Sequence, residues 1–227
     1  MRGPRDAVLR YGVAATTEHD FVLSGRTFNT IIDIGANRGQ FSLAARHHHP
    51  DAKIVAFEPL QTAAAVYRNV FKADAKTTLK EAAVSPVSGT AIMQVSRRED
   101  SSSLLPITAL QTNLYPEVVA VGLTSVPAAP LDSFMTSQDI VAPALLKIDV
   151  QGFELEVLKA SLSLLPRFDC VYVEASFMTL YEGQALAHEV VDYLHSQGFR
   201  FTGLYNPAYH PQSGGMVQAD LLFEKTS

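Results

Sequence analysis

Apolar positions along the chain fall into short unbroken runs, set between stretches that repeat every three to four residues. That is the pattern of buried strands alternating with helices. Residues 30–35 form a β-branched run ending at Gly35, followed by a helical pattern over 40–48. A second strand is predicted over 53–58, and a second helix over 62–73 with Ala63, Val66, Tyr67 and Val70 on one face. Residues 77–84 read as a third strand. Strands and helices in this order imply right-handed crossovers and a parallel sheet.

The pattern then changes. Residues 90–95 alternate, 97–103 are a polar loop, and 117–126 are again strand-like, so an antiparallel excursion is expected inside the parallel order. The first pattern resumes with a strand over 144–149, a helix over 153–160 and a strand over 170–174. A helix over 189–197, C-capped by Gly198, and strands over 199–204 and 220–224 complete an open, doubly wound α/β domain.

Composition narrows the class. The 227 residues are 47% hydrophobic, which fits one globular domain and excludes wholesale disorder. Cys170 is the single cysteine, so neither a disulfide-stapled scaffold nor a cysteine zinc cluster is available. Lys and Arg number 18 against 23 Asp and Glu, a net charge of −5, which argues against a general nucleic-acid surface. Arg10, Thr16, Thr17, Glu18, His19 and Asp20 interrupt any signal-peptide core, and no run is long enough to span a bilayer. The expectation is a cytoplasmic protein. His47, His48 and His49 precede Pro50 and read as an exposed helix end, because adjacent histidines point in different directions.

The chemistry concentrates where strands end. Ile31-Ile32-Asp33-Ile34-Gly35-Ala36-Asn37-Arg38-Gly39-Gln40-Phe41-Ser42 runs from a buried strand through a tight turn into a helix. Gly35 and Gly39 permit close backbone approach, and the first helical amides face a ligand in the crevice at the strand ends. A dinucleotide fingerprint would be G-x-G-x-x-G, but Asn37 stands where its second glycine would be. Asp33 would repel a pyrophosphate yet pair with an ammonium such as that of S-adenosylmethionine. Glu58, ending the second strand before Pro59, is placed to accept ribose hydroxyls, a role shared by NAD and S-adenosylmethionine sites; a dipole-favoured carboxylate is the other reading. Glu81 and Ala83 stand at the end of the third strand, where an adenine ring would lie.

The pieces Asp33-Ile-Gly-Ala-Asn37-Arg-Gly39, Ala56-Phe-Glu58-Pro59 and Leu146-Lys147-Ile-Asp149-Val-Gln-Gly152-Phe-Glu154 resemble the FkbM-type S-adenosylmethionine-dependent methyltransferases. So do Ser101-Ser102-Ser103-Leu104, Pro130-Leu131-Asp132-Ser133, 180–184 and 218–223, in family order from about residue 30 onward. The resemblance implies a class I methyltransferase fold with an antiparallel last strand, S-adenosylmethionine as cofactor, and methyl transfer to a hydroxyl of a natural product, polyketide or sugar. It implies a lead-in over 1–28 and a methyltransferase domain over 29–227, with the excursion, around 88–130, on the substrate side. Gln151 departs from the family's commoner glutamate.

Candidate cofactor residues are thus Asp33, Gly35, Asn37, Gly39, Ser42, Glu58, Pro59, Glu81, Ala83 and Asp149. An alcohol oxygen needs a general base. Asp149 is the first candidate, with cofactor positioning as its other reading, followed by Glu154 and His210. Asp149 and Glu154 are too few to make a Mg²⁺ site, so no metal is assigned. Ser101, Ser102, Ser103, Glu174 and Tyr205 are candidate acceptor contacts, with Phe177 and Tyr209 as further aromatics. Arg97 and Arg98 could attract a phosphate or carboxylate. The expected partner is a small-molecule or saccharide acceptor, without nucleic acid or a membrane span, and a homo-oligomer is compatible with the sequence. A nicotinamide-dependent oxidoreductase and a non-catalytic cofactor-binding scaffold are the alternatives.

Overall fold

The computed structural model describes residues 11–226. Four strands make the centre of a parallel sheet: β1 (Thr30–Ile34), β2 (Lys53–Phe57), β7 (Ala144–Ile148) and β8 (Cys170–Ser176). They are buried almost throughout, because helices cover both faces, which is why they read as unbroken apolar runs. The remaining members are β3 (Thr77–Lys80), β9 (Phe199–Tyr209) and β10 (Met216–Lys225), giving seven strands in the order β3-β2-β1-β7-β8-β10-β9. β10 lies antiparallel between β8 and β9, as expected for the last strand.

Helices α1 (Asp20–Ser24), α2 (Gln40–His48) and α3 (Gln61–Phe71) pack on one face. The other face carries α5 (Glu154–Ala160) and α6 (Ala187–Ser196), packed on Ile32, Ile34, Leu146, Ile148, Val171 and Val173. Val22 and Leu23 of α1 are fully buried against α2, so this part of the lead-in belongs to the core. The basic residues before Tyr11 lie outside the described residues. No described helix is long and apolar enough to cross a membrane.

The predicted third strand is in fact divided. β3 pairs with β2, whereas β4 (Ala83–Val84) turns away and joins β5 (Gly89–Ser96) and β6 (Ala120–Ala129) in a separate three-stranded sheet of order β4-β6-β5. Between β5 and β6 lies a short helix, α4 (Ala109–Leu114), capped by the Thr108 side chain, which the sequence pattern did not predict. The β9–β10 ribbon is longer at its hairpin end than the apolar pattern indicated, because that end is largely exposed and carries no buried run.

β1 has β2 on one side and β7 on the other, both parallel to it. Successive connections leave in opposite directions there, which opens a crevice at the C-terminal ends of β1 and β7.

Candidate active site

The crevice contains a cavity open to solvent, with about 710 Å³ of space when its mouth is included. Its floor is the turn after β1. Gly35 has φ +81°, and a Cβ there would stand 1.8 Å from the Asp149 carbonyl oxygen, so only glycine lets β1 and β7 end side by side. Asn37 is left-handed at φ 47° and donates its backbone N–H to Glu58 Oε2 at 2.9 Å. Glu58 Oε1 accepts from Leu60 N at 2.7 Å. Burial raises the Glu58 pKa to about 7 against the opposing pull of these amides. Pro59, Ala82 and Ala83 continue the wall beside Glu58. Asn37 also lines the cavity, and its buried Oδ1 has no hydrogen-bond partner. An orphaned acceptor, a carboxylate with spare lone pairs and a slot of small residues fit an amino-acid nucleoside such as S-adenosylmethionine.

Asp33 is placed differently from the expectation. It is fully buried, absent from the cavity wall, and faced by an ammonium of the chain itself: Lys147 Nζ lies 3.3 Å from Asp33 Oδ1 and 3.6 Å from Asp149 Oδ2. The register of β1 on β7 sets Asp33 directly opposite Lys147. Burial alone would lower the Lys147 pKa, but Asp33 and Asp149 reverse this and raise it. Ser42 donates to Asp33 Oδ2 at 2.7 Å and accepts from the Tyr67 hydroxyl at 3.0 Å, so Ser42 too is buried support. Gly39, at the start of α2, packs under Phe71 and likewise stays off the wall.

The loop after β7 carries the reactive candidates. Glu154 is buried, and its Oε1 accepts from the amides of Val150 at 3.1 Å and Gly152 at 3.0 Å, clamping the loop that presents Asp149. Gln151 sits at φ 58° with its Nε2 2.9 Å from both Asp149 Oδ1 and Glu174 Oε2. Its Oε1 accepts from the Tyr181 hydroxyl at 2.9 Å. Carboxylates accept, so this network fixes the amide orientation and bridges two acids that a third carboxylate would repel. Glu174 Oε1 also accepts from Gln218 Nε2 at 2.6 Å. Burial, then the charges of Asp149 and Asp220, raise the Glu174 pKa well above the carboxylate range.

Burial likewise raises Glu154 from 4.5 to about 7. The folded state therefore holds a proton that the unfolded chain has released, and stability falls as pH rises through that window. Glu154→Gln keeps an acceptor for both amides but cannot titrate. Its stability relative to the parent should rise by about 1–3 kcal/mol between pH 4.5 and pH 8. Urea melts at the two pH values measure this, and a constant difference refutes it.

A second, more polar cavity, also open to solvent and with about 730 Å³ of space when its mouth is included, adjoins the first and shares Asp100, Asp149 and Gln151 with it. Ser101 and Glu174 lie on its wall, while Ser102 lines the first cavity. Ser103 is fully buried, donating to the Gln151 carbonyl at 2.6 Å, and so ties the excursion to the β7 loop rather than facing a substrate. Tyr205 packs edge-on to Tyr172 with ring centroids 6.2 Å apart and lines neither cavity. His210 sits at the β9–β10 turn, where its Nδ1 accepts from the amides of Gln212 and Ser213, each at 3.3 Å. Phe177 and Tyr209 are exposed. Glu81 is exposed, pairs with Arg68 and lines neither of these cavities. Arg98 is held by Asp100 at 2.8 Å and Glu117 at 3.4 Å, and Arg97 lies off both walls, so neither offers a free anion site.

The pattern missed Glu18, Asp100, Gln111, Tyr115 and Gln218 on the polar wall. Gln218 opens one of the matched motifs; the others carry no local signal. Among the described residues, no group of three or more His, Cys, Asp or Glu side chains is arranged to hold a metal ion.

The sequence profile of the methyltransferase FkbM domain matches residues 33–201. The chain is also similar to the 2-O-methyltransferase NoeI of Sinorhizobium fredii, with 28% identity over 172 residues, 73% of this chain and 71% of that protein. Among solved structures it is similar to Streptococcus pneumoniae Sp1610, inferred to be a tRNA (m1A22) methyltransferase and solved with S-adenosyl-L-methionine. That match has TM-score 0.54 and 11% identity, and covers 94% of this chain and 74% of the other. A Klebsiella pneumoniae protein, inferred to be an O-methyltransferase, gives TM-score 0.52 and 14% identity over 98% of this chain and 87% of the other. Likeness at such identity establishes a shared fold, the class I methyltransferase fold.

Proposed function

The chain belongs to the methyltransferase FkbM family, and on that premise we propose that it methylates a hydroxyl oxygen of a small polyhydroxylated molecule or saccharide. Its cofactor is S-adenosylmethionine. The observation that carries the reading is the meeting of two cavities at Asp149 and Gln151, one fitted to the cofactor and one polar enough for a polyol. A relative that is a 2-O-methyltransferase supports oxygen as the target atom. We take residues 29–227 as the methyltransferase domain, with the excursion around 88–130 forming part of the acceptor side.

S-adenosylmethionine supplies a methyl group already activated on a sulfonium. What this chain adds is alignment of the acceptor oxygen and a place for its proton. Asn37, Glu58 and Pro59 hold the amino-acid nucleoside, and Ala83 leaves room for the flat base. Asp149 receives the hydroxyl proton; Glu174, whose pKa is raised by burial and by the charges of Asp149 and Asp220, is a hydrogen-bonding partner to Gln151 and Gln218 rather than a base. Gln151 bonds to Asp149 and Glu174, and with every polar atom of its amide engaged it acts as a positioning residue. Glu154 and Lys147 hold the loop and the strand end from behind.

The direct test is turnover with S-adenosylmethionine and a panel of sugars and natural-product alcohols, followed by locating the transferred methyl by NMR. An O-methyl product is expected; methyl on nitrogen or carbon overturns the reading. Glu58→Ala removes the acceptor and strands two amides, so affinity for S-adenosylmethionine should drop at least about tenfold in calorimetric titration. Unchanged affinity refutes the placement of the cofactor against Glu58.

A further inference from the structure

Charge on the polar cavity is lopsided. Glu18, Asp100 and Asp149 stand on its wall, and Arg98 is the one cation among its described lining residues. Arg98 is shared between Asp100 and Glu117, and Lys147, buried behind the wall, is shared between Asp33 and Asp149. Each cation thus faces two carboxylates. Glu18 has still less compensation. Its neighbour of basic type is His19, whose Nε2 lies 3.8 Å away, and burial lowers the His19 pKa to about 4, leaving it neutral. On the far side of the ring His19 Nδ1 lies 3.0 Å from the Tyr172 hydroxyl, which donates to Asp220.

A separate observation points to a ligand. Gln111, on the same wall and only 3% exposed, leaves its Oε1 without a hydrogen-bond partner. An acceptor atom in that position is satisfied by a donor brought in from outside. Glu18 also precedes residue 33, where the family profile begins, so the family domain alone assigns it nothing.

Building on the oxygen-methylation reading, we propose that this cavity selects an acceptor bearing an ammonium group beside its hydroxyls, an amino sugar or similar aminated polyol, with Glu18 as the residue that pairs with the ammonium. Anionic acceptors meet like charge and no free cation among the cavity's described lining residues. Neutral polyols satisfy Gln111 but leave the Glu18 carboxylate, 57% exposed, to water alone. The aminated polyol does both. Specificity then comes from a segment outside the family domain, while transfer chemistry stays with Asp149.

The test uses the full chain loaded with S-adenosylhomocysteine at pH 7, titrated calorimetrically with methyl glucosaminide, methyl glucoside and glucose 6-phosphate. The glucosaminide should bind about threefold to fivefold tighter than the glucoside, the upper size of one exposed ion pair, and the phosphate should bind weakest. Glu18→Gln should bring the aminated and neutral sugars within about twofold of each other without changing affinity for S-adenosylhomocysteine. A glucosaminide that binds no tighter than the glucoside, or not at all, overturns the proposal; so does a preference that survives Glu18→Gln. Failure to bind S-adenosylhomocysteine, or a methyl found on nitrogen, sinks the oxygen-methylation reading instead, so the two failures are distinguishable.

Discussion

Replacing Lys147 by methionine should destabilise the fold by about 3–5 kcal/mol, the cost of leaving a buried carboxylate without its counter-ion. Lys147 is 5% exposed and Asp33 fully buried, so water cannot take the place of either. Methionine fills much of the same volume over the Phe41 ring, which lies 5.4 Å from Nζ, so the loss reads charge rather than packing. Asp33→Asn in the Lys147→Met background removes the stranded charge while keeping an acceptor for Ser42. That double variant should recover at least about 1 kcal/mol relative to Lys147→Met alone. Urea midpoints at constant slope decide it, and purely additive losses mean the pair is not energetically coupled.

Asp149→Asn should lower kcat by about 10²- to 10⁴-fold, the range for loss of a positioned general base, with affinity for S-adenosylhomocysteine within a few-fold of the parent. Asparagine keeps the shape and can still accept from Gln151; it loses the oxygen 3.6 Å from Lys147, whose partner Asp33 remains, while Glu154 still clamps the loop. The readout that separates a base from a positioning carboxylate is the split of the loss: kcat should fall while the acceptor KM stays within a few-fold of the parent. A loss in kcat of less than about tenfold, or one carried mainly by KM, would assign the proton to solvent.

The central strands and the cofactor turn were legible because their signals are local. β1 carries its own apolar run, its own Gly35 and its own Asn37, and β2 ends in its own Glu58. The role of Asp33 was not legible. Its apparent freedom to bind a ligand ammonium vanishes only when β7 is laid beside β1 in register, and nothing near Asp33 in the sequence announces Lys147. The division of the third strand at Glu81 and Ala82 was hidden for a related reason, since β4 pairs with β6 from far along the chain. α4 is too short to show a helical repeat, so Gln111 could not be foreseen as a buried wall residue. Glu18 read only as an interruption in an apolar segment, because its neighbours on the cavity come from β8, β10 and the excursion.

The turn Glu99–Ser101 walls both cavities: Glu99 and Asp100 line the first, Asp100 and Ser101 the second, and Arg38 of the glycine turn grips Glu99 at 2.8 Å. Any displacement that one ligand imposes on this turn is therefore felt by the other. Thermodynamic linkage makes that influence reciprocal: whatever factor the cofactor applies to acceptor affinity, the acceptor returns to the cofactor. Which of them enters first is then a question of access to the two mouths, because the energy of the ternary complex is the same by either route.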